Sequence, residues 1–189
     1  MRWATTLAAM PLLLTGACTA DTGVLELNWA FVDDQLEPIY PSGYERDTCD
    51  LTGRSGETER LYDMRVRVRI SDPTCEGGPG DAECRVLDPI VFPCNRARGT
   101  EMEVPASDPE LRFDVDVVVV PRGGGAFVPT DACVTHPGPR LRPVPEGLVT
   151  DLAVYQLVVH GIDPAQQASI DRKFDLFGCN PSNEGMDPP

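Results

Sequence analysis

The chain has 189 residues, of which 41% are hydrophobic, and its formal net charge is -14. A chain of this length suits one domain with a single core. Its 17 glycines and 19 prolines disfavour long helices, because proline removes a backbone donor and glycine adds conformational freedom. The acidic surface repels phosphate backbones, which excludes nucleic acid as a main partner. The composition therefore predicts a single all-β domain with long loops.

The first 17 residues have the layout of a secretory signal peptide. Arg2 supplies a positive start, and residues 4–14 form an apolar run that is too short to span a bilayer as a helix. The small residues Gly16 and Ala17 then precede Cys18. The chain is therefore expected to be exported.

Cys18 distinguishes two ways of processing this leader. A thiol directly after Gly16 and Ala17 resembles the lipobox of bacterial lipoproteins, in which the cysteine is lipid-modified and becomes the new N-terminus. The alternative is ordinary cleavage after Ala20, which produces a soluble periplasmic or secreted protein. Because thiols are uncommon in plain cleavage sites, we favour lipidation at Cys18. A lipid on this residue implies attachment to the outer membrane or the cell surface.

The other six cysteines predict disulfide bonds, since an even number is typical of exported domains. A structural zinc site needs closer pairs than Cys75 and Cys84, which have the shortest spacing in the chain. The segment between these two cysteines is rich in glycine, so its ends can meet, and we pair them first. The sequence constrains the disulfide pairing of the other four cysteines less. The other predicted pairs are Cys49 with Cys94 and Cys133 with Cys179.

Alternating apolar and polar residues predict the strands. Residues 23–33 have the period of a strand with one buried face, and residues 62–70 alternate apolar side chains with arginines. Residues 111–120 form another apolar row, and residues 148–162 contain the last long strand. Shorter strands are predicted at 85–92 and 100–104. About seven strands at this spacing favour a two-layer antiparallel β-sandwich.

The predicted domain organisation follows from the segments between these strands. Residues 34–61 and 121–145 are rich in proline and glycine and are predicted to be long loops. One or two helical turns are predicted after Asp163, and a short strand near Phe174. The chain then divides into a signal peptide (1–17), a linker (18–22), a single β-sandwich domain (23–179) and a disordered tail (180–189).

The order of these motifs is similar to that of small bacterial surface lipoproteins with an immunoglobulin-like or carboxypeptidase-regulatory-like (transthyretin-like) sandwich. The resemblance covers residues 23–162 and implies a fold and a cell-envelope address. It implies no catalytic residue. It rests on residues 25–29, Cys49, the arginine-rich strand at 65–69, residues 92–94 and the Asp-Val repeat at 114–117.

No catalytic, metal or cofactor site is predicted. His136 and His160 are the two histidines, too few for a three-histidine metal site, and both are expected to be surface or capping residues. No G-x-S-x-G motif is present, and sequence does not fix the separation of any two carboxylates. Calcium would be held best by residues 72–83, although a solvated acidic surface is the preferred interpretation of this loop.

The arginines of residues 65–69 have two interpretations. Arg65, Arg67 and Arg69 face one way and form either an anion-binding surface or cross-strand ion pairs with Asp114 and Asp116. We favour the ion pairs, because antiparallel pairing of the two strands buries both apolar rows and neutralises the outward ones.

The sequence as a whole predicts an exported, lipid-anchored, non-catalytic module that has a binding or structural role in the cell envelope. The membrane is the one partner it indicates, and a protein or glycan partner is not identified. Two alternatives stay open: an extracellular hydrolase that uses loop carboxylates, and a calcium-stabilised adhesion-type module.

Overall fold

The computed structural model describes residues 21–40, 50–55, 58–78, 80–121, 125–160 and 179–181. Within these ranges the chain forms ten β-strands and a short 3-10 helix between two of them, and it contains no α-helix. The predictions on the leader, on Cys18 and on Cys49 lie outside the described residues. So do those on the helical turns after Asp163, the strand near Phe174 and residues 182–189 of the tail.

The strands are distributed along most of the described chain. The 3-10 helix covers Cys94–Arg96, between the fifth and sixth strands. In chain order the strands are β1 Thr22–Val32, β2 Pro38–Tyr40, β3 Asp50–Ser55, β4 Thr58–Ser71, β5 Ile90–Pro93, β6 Arg98–Pro105, β7 Ser107–Pro121, β8 Val134–Thr135, β9 Arg140–Val144 and β10 Val149–Val159.

The strands form two five-stranded sheets. Sheet A has the order β2-β1-β10-β8, with β6 also paired to β1, and sheet B has the order β3-β4-β7-β9, with β5 also paired to β4. The all-β prediction is therefore confirmed. The predicted antiparallel arrangement is wrong for one pair, because β1 and β10 pair in parallel, whereas the other pairs of strands are antiparallel. These two strands are separated by all of sheet B in sequence, which provides the long connection that parallel pairing requires.

One core lies between the sheets and follows from the alternation in the strands. Every second residue from Leu25 to Phe31 in β1 is buried, as is every second residue from Leu111 to Val119 in β7. The largest buried side chains include Trp29, whose indole Nε1–H donates a hydrogen bond of 2.9 Å to the carbonyl of Cys94. Residues of both sheets belong to a single apolar cluster.

The segments predicted as loops contain four strands. β2 and β3 lie within residues 34–61, and β8 and β9 lie within residues 121–145. These strands are short, and two of them contain prolines, Pro38 and Pro143, which sheet edges tolerate. Local alternation does not reveal strands of this kind. At the other predicted boundaries, β5 begins at Ile90, after Pro89, and Thr22 of the predicted linker already belongs to β1.

Two disulfides lie within the described residues, and both are pairings that the sequence predicts. The Cα atoms of Cys75 and Cys84 are 5.5 Å apart, and those of Cys133 and Cys179 are 5.9 Å apart. Cys94 is also disulfide-bonded, and its partner lies outside the described residues. Its pairing with Cys49 stays a prediction.

Candidate functional site

Three polar side chains meet at one end of sheet A. Asp34 lies in the turn after β1, His160 directly follows β10, and Thr135 ends β8. The parallel strands β1 and β10 finish at the same end of the sheet, and this brings Asp34 close to His160. The antiparallel pairing of β8 with β10 sets Thr135 opposite Val158. We call Thr135, His160 and Asp34 the polar triad.

The polar triad is a continuous chain of hydrogen bonds. The Nε2 atom of His160 lies 2.7 Å from the Thr135 hydroxyl, and its Nδ1 atom lies 2.5 Å from a carboxylate oxygen of Asp34. An ionised carboxylate only accepts hydrogen bonds, so Nδ1 carries the hydrogen and donates to Asp34. In the neutral ring Nε2 then accepts from the hydroxyl. The His160 and Asp34 side chains remain partly exposed, at 32% and 42%.

Covalent and backbone contacts hold the triad in place. The backbone N–H of His160 donates to the carbonyl of Cys133, two residues before Thr135, at 2.9 Å. Cys133 is bonded to Cys179, whose carbonyl accepts from the N–H of Thr130 at 3.0 Å. The Cys133–Cys179 disulfide therefore fixes the segment that carries the hydroxyl.

The turn that carries Asp34 is also fixed. The buried carboxylate of Asp33 accepts hydrogen bonds of 2.9 Å from the backbone N–H groups of Gln35 and Glu37. Such a side-chain turn closes the connection between β1 and β2 and holds Asp34 at the end of the sheet. Asp33 and Asp34 are adjacent carboxylates with different roles, one structural and one facing His160.

Chemically, the polar triad has the order hydroxyl, imidazole, carboxylate. This is the order of a nucleophile, its general base and the group that orients the base. The sequence prediction did not identify it, because Thr135 and Asp34 are 25 and 126 positions away from His160. The parallel pairing of β1 with β10 brings Asp34 to His160, and the antiparallel pairing of β8 with β10 adds Thr135. No local motif signals either pairing.

The arginines of β4 form ion pairs, as the sequence predicts. Arg67 lies opposite Asp116 of β7 and donates two hydrogen bonds to its carboxylate, at 2.8 and 2.7 Å. Arg69 contacts the same carboxylate at 3.0 Å. The hydrogen bond with Asp116 raises the pKa of Arg67. These arginines therefore neutralise a buried carboxylate in the sheet.

Asp114 and Arg65 have other ion-pair partners than the sequence predicts. Asp114 accepts two hydrogen bonds from Arg112 of the same strand, at 2.8 and 3.0 Å. Arg65 lies opposite Val118 and approaches Asp63 at 3.9 Å, in an exposed pair. The strand pairing predicts which residues face one another, but the choice among neighbouring carboxylates depends on side-chain reach.

His136 is largely buried beside this cluster, with 16% of its side chain exposed. Burial lowers its pKa, whereas the charges of Asp116 and Asp131 act in the opposite direction. The Nε2 atom of His136 and the Nε atom of Arg69 are buried and have no hydrogen-bond partner among the described residues. His136 is thus a partly desolvated histidine near Asp116 and Arg69, whereas the sequence predicts a surface or capping residue.

Two carboxylates of the loop considered for calcium, Asp72 and Asp81, accept hydrogen bonds from the loop itself. Asp72 accepts hydrogen bonds from the N–H and the hydroxyl of Thr74, and these lower its pKa. Asp81 accepts from the N–H of Glu83 at 2.9 Å. Across the described part of the chain, no group of three or more His, Cys, Asp or Glu side chains is arranged to hold a metal ion.

Comparison with known proteins provides no family for this chain: no family model, no curated protein and no solved structure matches it. None of the helices in the described ranges is long and apolar enough to cross a membrane. The function is therefore argued from the sequence and from the geometry of the described residues.

Proposed function

We propose that the protein is an exported, lipid-anchored binding or structural module of the bacterial cell envelope, with a sandwich of the immunoglobulin-like or transthyretin-like type. The observation that carries the proposal is the set of disulfides, Cys75–Cys84 and Cys133–Cys179, together with the bonded Cys94. Disulfides persist in oxidising compartments outside the cytosol. The signal-peptide layout of residues 1–17 supports the same address.

The lipid anchor is proposed at Cys18, which the lipobox-like sequence places three residues before Asp21. All five described cysteines are disulfide-bonded, and the sixth body cysteine, Cys49, is the predicted partner of Cys94. Cys18 is then the odd cysteine of the chain. An odd cysteine directly after a leader is consistent with a modified mature N-terminus.

Processing of the leader tests this proposal. Globomycin, which blocks cleavage of lipoprotein leaders, should cause the full-length precursor to accumulate. The variant Cys18→Ser should release the protein from the membrane fraction, whereas the neighbouring control Thr19→Ser should leave it there. A soluble mature chain that begins at Asp21 in untreated wild-type cells would contradict the proposal.

The polar triad favours a second candidate function, an extracellular hydrolase that acts on esters. In this mechanism the Thr135 oxygen attacks the ester carbonyl carbon while its proton passes to Nε2 of His160. The leaving alcohol then takes that proton, which leaves an acyl group on Thr135. Water then attacks the acyl ester and gives a proton to Nε2 of His160, which passes it to the departing Thr135 oxygen. This restores the Thr135 hydroxyl and releases a carboxylic acid. Asp34 stabilises the positive imidazole throughout.

An activated ester tests the second candidate. With p-nitrophenyl acetate, the hydrolase would show an initial burst and an acetyl group on Thr135 by mass spectrometry. Thr135→Val and His160→Gln should abolish both signals, whereas His136→Gln, a change of the other histidine, should leave them unchanged. An unmodified Thr135, or turnover that survives Thr135→Val, would assign the triad to structure alone.

A further inference from the structure

Three of the seven large apolar side chains that are exposed in the described part of the chain lie at the end of sheet A where β1 begins. Leu148 is 61% exposed and Val149 is 56% exposed, and both belong to the turn and strand start beside residue Val24. On the other side of Val24, the irregular pairing of β6 with β1 contains Met102, which is 63% exposed. Single exposed apolar side chains are common on protein surfaces, whereas neighbouring ones are typical of contact surfaces.

The start of β1 is fixed within this apolar end. The carbonyl of Asp21 accepts from the N–H of Ala106, and the carbonyl of Thr22 accepts from the N–H of Gly147, both at 2.9 Å. Gly147 directly precedes Leu148. The chain therefore enters the sheet between the β6–β7 connection and the turn that carries the exposed leucine.

The proposed anchor lies close to this end. Cys18 precedes Asp21 by three residues, and three residues span at most about 11 Å. β1 has 11 residues and is roughly 35 Å long. A lipid on Cys18 would therefore keep Leu148, Val149 and Met102 within reach of the membrane surface, whereas the turn after β1 lies a full strand length away from the anchored end.

The charged side chains beside the start of β1 indicate which kind of membrane surface fits this end of the sheet. Asp21, Glu103 and Glu146 are exposed there. These carboxylates are repelled by anionic headgroups, so the apolar side chains suit a surface of zwitterionic lipid. Three side chains hold a protein weakly by themselves, but a tether makes the contact intramolecular and raises their effective concentration.

We infer that Leu148, Val149 and Met102 contact the headgroup region of a zwitterionic bilayer. The polar triad then lies at the end of β1 that is remote from the anchor. This inference rests on the proposed lipid anchor and adds to it an orientation. The apolar end is the membrane-contacting end, and the end that carries Asp34 and His160 is presented to partners or substrates.

Tryptophan quenching tests the orientation directly. The mature chain from Cys18 onward contains one tryptophan, the buried Trp29. Cys18 is coupled by maleimide to a lipid in phosphatidylcholine vesicles, and a second tryptophan is introduced as Leu148→Trp. The matched control is Leu36→Trp, because Leu36 is a similarly exposed leucine, at 58%, in the turn at the opposite end of β1.

Brominated phosphatidylcholine should quench most of the emission that Leu148→Trp adds and should leave that of Leu36→Trp unchanged. The Leu148→Trp emission should also shift to shorter wavelength on tethering. Equal quenching of the two variants, or none in Leu148→Trp, would overturn the orientation. If the wavelength shift of Leu148→Trp depends on protein density and brominated lipid does not quench its emission, the surface contacts a second copy of the chain. That result would also overturn the orientation.

The quenching experiment and the globomycin experiment test different claims, so either claim can be contradicted while the other stands. Because the tether is attached chemically, quenching reports the contact surface whether or not cells lipidate Cys18. A soluble wild-type protein in cells would remove the anchor, whereas equal quenching at positions 148 and 36 would remove the orientation alone. Circular dichroism and an unchanged melting temperature establish that both variants are folded.

Discussion

The guanidinium of Arg67 and the carboxylate of Asp116 face each other across β4 and β7 and share two hydrogen bonds, of 2.8 and 2.7 Å. Arg69 contacts the same carboxylate from the next outward position of β4, at 3.0 Å. Only 7% of the Asp116 side chain is exposed. A single nearly buried carboxylate is therefore shared by two arginines in sheet B.

Loss of Asp116 should destabilise the fold. Asp116→Ala leaves Arg67 and Arg69 without their shared partner, and hydrogen bonds to charged groups contribute roughly 1.5 to 3 kcal/mol. We expect the free energy of unfolding in urea to fall by about 2 kcal/mol. Arg65→Ala is the matched control, since its 3.9 Å pair with Asp63 is exposed and contributes about 0.5 kcal/mol or less. Equal losses in the two variants would contradict this assignment.

The two described disulfides should contribute unequally to stability. Cys133 and Cys179 are 46 positions apart, and Cys75 and Cys84 are 9 apart. The entropy of closing loops of these lengths in the unfolded chain corresponds to about 4 and about 2.6 kcal/mol. The double variant Cys133→Ser/Cys179→Ser should therefore melt at a lower temperature than Cys75→Ser/Cys84→Ser. A lower melting temperature for Cys75→Ser/Cys84→Ser would show that the Cys133–Cys179 disulfide does not restrict the unfolded chain more than the Cys75–Cys84 disulfide does.

Tyr155 should make the fold sensitive to alkaline pH. Burial raises its pKa from 10.0 to about 12, although Arg140, 3.9 Å above the ring centre, acts in the opposite direction. In the unfolded chain the phenol ionises near its ordinary pKa. The part of the folding stability that depends on the protonated Tyr155 phenol is therefore complete below pH 10 and is lost as the pH rises toward 12. Tyr155→Phe should remove this part of the loss. A pH profile of urea unfolding that is identical in the two proteins would contradict the assignment.

His136 should make the fold sensitive to acid. Its pKa in the folded protein is lowered from 6.5 by burial, so the unfolded chain takes up the proton first as the pH falls. The stability that depends on neutral His136 is complete above pH 6.5 and decreases below it. His136→Gln should flatten this acid branch of the stability profile. If the wild type and the variant lose stability in parallel below pH 6.5, His136 is not the responsible group.

Much of the fold follows from alternation. The apolar rows of β1, β4, β7 and β10 are buried as the sequence predicts, because one face of each strand covers the shared core. Strands such as β8 and β9 have two and five residues and depend on hydrogen bonds to distant neighbours. No local pattern marks them, and so the sequence predicts loops in their place.

The candidate site was less accessible to prediction than the fold. The pairing of Arg67 with Asp116 is predictable, because two alternating strands of opposite outward charge favour one another. The meeting of Asp34 with His160 depends on parallel pairing between the first and last described strands of sheet A. Long-range topology of this kind leaves no motif in the sequence. The Cys133–Cys179 pairing was predictable only as one choice among several.

The mature N-terminus of the protein is the most direct test of the account as a whole. The protein is extracted with detergent from membranes of producing cells, and its N-terminal peptide is identified by mass spectrometry. The account predicts that the peptide begins at Cys18 and carries a mass increase that corresponds to covalently bound acyl chains. An unmodified N-terminus at Asp21, recovered from the soluble fraction, would contradict it.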